Sequence, residues 1–103
     1  MKKGITTKRI PVSPEEAANA LREMPQWIVE KSRIYRDFRF ENFKKALAFV
    51  NRVAKVAETV RHHPNILIHE YSFVRIEIYD HLLAGLSNYD ILLIKAIERG
   101  LGK

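Results

Sequence analysis

The sequence predicts an α+β domain: a four-stranded antiparallel sheet with helices packed on one face, in the order α-β-β-α-β-β-α. Three observations lead there. The hydrophobic period changes from helical to alternating and back twice within 103 residues. Each alternating stretch is broken once by a short polar segment, the mark of a hairpin and so of antiparallel pairing. The helical stretches are amphipathic, which gives each a face to lay against a sheet.

The first helix opens at Ser13-Pro14-Glu15-Glu16. Ser13 can cap, Pro14 suits the first helical position and Glu16 completes a capping box. Ala17, Ala18, Leu21 and Met24 then recur at helical spacing until Pro25 stops the run. Over residues 27–40 the period falls to two: Trp27 and Val29, then Ile34, Phe38 and Phe40, with Lys31-Ser32-Arg33 as the connecting turn. From Phe43 a longer helix carries Phe43, Ala46, Leu47, Val50, Val53, Ala54 and Ala57 as an apolar stripe and ends just before Pro64. A second hairpin follows, with strands over 66–71 and 73–79 and with Val74, Ile76 and Ile78 on one face. Ala84-Gly85-Leu86 forms a turn, and Ser87 caps the last helix with Asp90 near its positive end. Ile91, Leu92, Ile94, Ala96 and Ile97 form its buried side, and Gly100 is the expected terminator.

Composition narrows the function classes. The hydrophobic content of 47% supplies an ordinary core, and the absence of cysteine excludes disulfides and thiolate-bound metals. No stretch approaches the roughly 20 apolar residues that span a bilayer, so the expectation is a soluble, cytoplasmic protein without a membrane partner. Of the net charge of +6, four units come from Lys2, Lys3, Lys8 and Arg9, in a segment with no acidic residue. Residues 1–12 are therefore expected to form a basic, flexible tail that could touch nucleic acid, ahead of a single domain over 13–103. The body, with mixed charge, is no basic platform.

The chemistry concentrates in histidines. Glu58 and His62 are four residues apart, on one side of a helix end, where a carboxylate can orient an imidazole and favour its charged form. Pro64 takes His63 out of helical geometry and turns its ring away from that of His62. A hairpin over 66–79 returns the chain beside its own start, so His81 is expected to meet His62 and His63. His69 falls on the strand surface. Histidines at a helix end also suit the macrodipole without any chemistry. Three can hold zinc, but adjacent rings rarely aim at one ion and no fourth ligand is evident, so no metal is expected.

These residues also form a spaced pattern. It reads Glu58, three residues, His62-His63-Pro64, six residues, Tyr71, nine residues, His81, eight residues, Asp90. In this, and from Trp27 through "FRFENFKKALAFVNRVAKVAE" to "AGLSNYDILLIKAIE", the chain resembles the pterin-4a-carbinolamine dehydratases, also known as dimerisation cofactors of a homeodomain transcription factor. Two departures stand out: Asp80 precedes the last histidine where threonine is common, and the spacing to Tyr71 is the longer of the two permitted.

The resemblance implies a lyase that dehydrates a 4a-hydroxytetrahydropterin in tetrahydrobiopterin-type recycling, with the pterin as substrate and no cofactor. It implies His62, His63, His81 and Glu58 as the catalytic set. Arg61, His62, His63, Pro64, Tyr79, Asp80 and His81 would line the pterin, with Tyr71 and Asp90 in supporting or structural roles. It also implies a homodimer or homotetramer. The alternative is a non-catalytic pterin-binding or protein-dimerisation module, coactivator-like or related to molybdopterin.

Overall fold

The computed structural model describes residues 8–101. The chain runs β1 (Pro11–Val12), α1 (Pro14–Ala20), β2 (Ile28–Glu30), β3 (Arg33–Arg39), α2 (Phe43–Val60), β4 (Asn65–His69), β5 (Phe73–Ile78), β6 (Leu86–Ser87) and α3 (Asn88–Leu101). Strands β2 to β5 form the expected four-stranded antiparallel sheet in the order β2-β3-β5-β4, with the hairpins joined through β3 and β5. Alternation sorts its two faces. Ile34, Val74, Ile76 and Ile78 are fully buried beneath the helices, each worth about 1.5–3 kcal/mol of transfer free energy. On the open face Asp37 and Arg75 pair directly across β3 and β5.

α2 packs through Ala46, Phe49, Val53 and Ala57, with Phe49 4.5 Å from Phe38 and 5.0 Å from Phe40, ring centre to ring centre. The buried stripe is thus rotated from the expected one. Phe43 and Leu47 remain 51% and 41% exposed and Ala54 is exposed, because Phe49 occupies the gap over β3. In α3 the same shift buries Leu93 and leaves Leu92 exposed. Glu98 of α3 accepts hydrogen bonds from the Trp27 indole and from Arg36, fastening the helix to the first hairpin.

The capping box at Ser13 forms as expected, with Ser13 Oγ accepting from Glu16 N at 3.0 Å and Glu16 Oε1 from Ser13 N at 2.8 Å. Ser13→Ala is expected to cost about 1 kcal/mol, read as a lower urea midpoint at unchanged slope. α1 itself stops at Ala20, short of Pro25, and Leu21 caps it. Gly100 does not end α3, which continues to Leu101. In the 84–86 turn Ala84, not Gly85, takes the left-handed conformation, at φ 52°.

One pairing was not expected. β1 runs antiparallel to β6, Pro11 opposite Ser87 and Val12 opposite Leu86. Ile10 N donates to Asn88 Oδ1, and Asn88 N donates to the Ile10 carbonyl. Residues 1–7 lie outside the described residues, but the rest of the expected tail, from Arg9 to Val12, is laid against the start of α3. No helix among the described residues is long and apolar enough to cross a membrane.

Candidate functional site

The site forms where the second hairpin opens. α2 ends at Val60, and Arg61 takes the left-handed conformation at φ 65°, its N–H returning to the Ala57 carbonyl at 2.8 Å. This reversal, three residues ahead of Pro64, terminates the helix. It also separates the two histidines: His62 turns inward and is 5% exposed, while His63 stays outside at 63%. At the other end of the hairpin β5 delivers Tyr79, Asp80 and His81 alongside. His62, His63 and His81 line one cleft of about 160 Å³, together with Arg9, Arg61 and Asp80.

Each imidazole has its own support. His62 Nε2 lies 2.5 Å from Asp90 Oδ1, and Asp90 is fully buried. The other Asp90 oxygen accepts from Ser87 N at 2.8 Å, while Ser87 Oγ accepts from Tyr89 N at 3.1 Å. The cap on α3 and the anchor of His62 are therefore one carboxylate. That contact fixes the orientation of the His62 ring through Nε2 and leaves Nδ1 unused by Asp90. His63 Nε2 is 2.6 Å from Glu58 Oε2 on the exposed surface. Glu58 thus serves His63 rather than His62, because the left-handed residue at 61 breaks the helical i,i+4 relation. The His81 ring sits 4.3 Å from Tyr79, whose other neighbour is the Arg33 guanidinium, 4.3 Å from the ring centre.

Asp80 does not project into solvent beside His81. It is 1% exposed and accepts from Arg9 Nε at 2.9 Å and from Leu82 N and Leu83 N at 3.0 and 3.3 Å. Burial pushes its carboxyl up, but the Ser87 hydroxyl, the Arg9 guanidinium and the Leu83 N–H outweigh burial and hold it below the ordinary carboxylate range. Its backbone brackets the 81–84 loop, exchanging hydrogen bonds with Gly85. Arg9 also lies over the Tyr89 ring, 4.7 Å from the centroid.

Tyr71 is not brought into the site. It sits in the left-handed turn between β4 and β5 at φ 54°, 66% exposed, at the far end of the hairpin from the histidines. Pro64 is half-buried next to His63. His69 stacks on Phe73 at 5.4 Å on the open sheet face, away from the cleft. Arg9 and Leu82 line the cleft without having been foreseen. The apolar-flanked "RIPV" was the only available sign that Arg9 belongs to a strand-forming segment. Among the described residues no group of three or more His, Cys, Asp or Glu side chains is placed to hold a metal ion.

Comparison with known proteins places the chain among relatives over most of its length. The family model described as Pterin 4 alpha carbinolamine dehydratase matches residues 10–100. Among its relatives are several named "Putative pterin-4-alpha-carbinolamine dehydratase". The one from Halorhodospira halophila is 38% identical over 90 residues, covering 85% of this chain and 82% of its own. The one from Chloroflexus aurantiacus is 41% identical over 91 residues, covering 88% and 97%. Among solved structures, a transcriptional coactivator/pterin dehydratase from Brucella melitensis superposes with a TM-score of 0.76 at 26% identity, over 87% of this chain and 97% of that one.

Proposed function

The chain belongs to the pterin 4 alpha carbinolamine dehydratase family, and from that premise we propose that it removes water from a 4a-hydroxytetrahydropterin to give the quinonoid dihydropterin, in tetrahydrobiopterin-type recycling. One observation carries the reading: three imidazoles from opposite ends of a hairpin line the same cleft. The reaction breaks the C4a–O bond. An acid protonates the departing hydroxyl and a base takes a proton from a ring nitrogen, with no change of oxidation state. Imidazole suits both tasks near neutral pH.

In this reading His62 and His81 share the proton transfers. His62 is oriented by Asp90, which fixes the ring and leaves one nitrogen for the substrate. His81, at the exposed mouth, exchanges protons with solvent. His63, steadied by Glu58, lines the pterin together with Arg61, Pro64 and the Tyr79–Asp80 backbone. Tyr71, remote from the cleft, has no part. The chemistry asked of the site is proton transfer alone, so the pterin is substrate and no cofactor is called for.

The test is direct. Purified protein is expected to accelerate carbinolamine loss above the buffer rate, followed by absorbance. A rate equal to buffer would refute the dehydratase reading. Pterin binding without turnover would instead favour a binding or dimerisation module. One observation supports that second reading, and self-association as a homodimer or homotetramer with it: Phe43 and Leu47 stand exposed on α2. Light scattering on the same sample reads the mass.

A further inference from the structure

Resting on the dehydratase reading but replacing its tetrahydrobiopterin-type substrate, whose side chain is a neutral diol, we infer that the cleft selects a pterin whose side chain carries an anionic group, a phosphate or a carboxylate, and that Arg9 and Arg61 hold that group. Two arginines line a small cleft in which the sole carboxylate is Asp80. That carboxylate is closed to ligands. It is 1% exposed, and its oxygens are taken by Arg9 Nε and by two backbone N–H groups. The other carboxylates of the site, Glu58 and Asp90, are each paired with an imidazole, so the two guanidinium groups are what the lining offers to an anion.

The donors remain available. Arg61 is exposed and makes no ion pair or side-chain hydrogen bond among the described residues. Arg9 is held through Nε and over the Tyr89 ring, so neither of its Nη groups has a hydrogen bond among the described residues. A guanidinium fixed in this way has already lost its rotamer freedom, and its planar fork matches phosphate and carboxylate oxygens. The same pairing accounts for Asp80 beside His81, since without that carboxylate Arg9 would lose its hydrogen-bonded anchor at the cleft wall. A neutral polyol side chain would leave both forks to water. An anionic one satisfies them.

The experiment titrates the full chain with three fluorescent oxidised pterins, bearing a neutral polyol, a carboxylate or a phosphate monoester at the side-chain position. It is run at low and at physiological ionic strength, on wild type, Arg61→Gln and Arg9→Gln. At least one anionic pterin is expected to bind about tenfold or more tightly than the neutral one, the worth of one charge-assisted fork. Salt shrinks that ratio, and either variant brings it towards one. Which anion gains separates a phosphate site from a carboxylate site. Arg9→Gln unpairs Asp80 and can lose the fold; Arg61→Gln touches no buried group and carries the test alone in that event. Equal affinity for neutral and anionic pterins, or a ratio unmoved in Arg61→Gln, would overturn the inference and leave the dehydratase reading intact. Failure of every pterin to bind would overturn both.

Discussion

Replacing His81 by alanine is expected to slow pterin-carbinolamine dehydration by about 10²–10⁴-fold, the usual worth of a positioned acid or base, with the fold unchanged. The ring is exposed and, among the described residues, makes one aromatic contact, with Tyr79, so its loss costs within about 0.5 kcal/mol. His62→Ala is expected to reduce the rate by the same order and to differ in stability. It strips Asp90, fully buried, of one of its two hydrogen-bond partners among the described residues, leaving the Ser87 N–H. An unsatisfied buried acceptor costs about 1–3 kcal/mol, so His62→Ala must be assayed alongside its melting curve. The double variant is expected to lose little beyond either single one, because residues acting as a unit are not additive. Added imidazole is expected to restore part of the His81→Ala rate. His81→Ala turning over at the wild-type rate would remove that residue from the reaction.

Much of this was legible in the chain, and the rest was hidden for identifiable reasons. Sheet, hairpins and helix order follow from changes of period that extend over many residues. Val74, Ile76 and Ile78, each at 0% exposure, are where alternation puts them. The hairpin also made the approach of His81 to His62 and His63 a matter of topology. Side-chain pairing was less accessible, because it turned on one residue. Helical spacing assigned Glu58 to His62, but Arg61 at φ 65° exchanged the partners, giving Glu58 to His63 and Asp90 to His62. Nothing in the residue type announces an arginine in that conformation, which glycine or asparagine takes more readily. The β1–β6 pairing is two residues long, below any length at which alternation can be recognised. In the sequence Arg9 therefore reads as tail charge, and Asp80, a departure beside the last histidine, has no visible partner. A rotated stripe on α2 has a similar origin: both Phe43 and Phe49 are apolar, and only the gap above β3 decides which one is buried.

Asp80→Ala is expected to lower stability by roughly 2–4 kcal/mol at neutral pH, through the loss of several buried hydrogen bonds and of the partner of Arg9. Arg9 keeps some contact with water, its side chain being 30% exposed, which holds the cost below that of stranding a fully buried cation. For a domain of this size each kcal/mol corresponds to about 4–8 °C in Tm, so the melting difference is large. Its dependence on pH identifies the cause. The folded-state carboxyl lies below its ordinary value, so folding favours the ionised form. The stabilisation is then complete above the unfolded carboxylate range, near about pH 4, and is lost as pH falls through the lower, folded value. Melting curves of wild type and Asp80→Ala are thus expected to lie far apart at pH 7 and to converge in acid. A gap that stays constant from neutral pH into acid would mean that Asp80 contributes through shape alone. The loop bracketed by Asp80 carries His81, and Arg9, which Asp80 anchors, leads into β1, so the same substitution is expected to loosen both walls of the cleft.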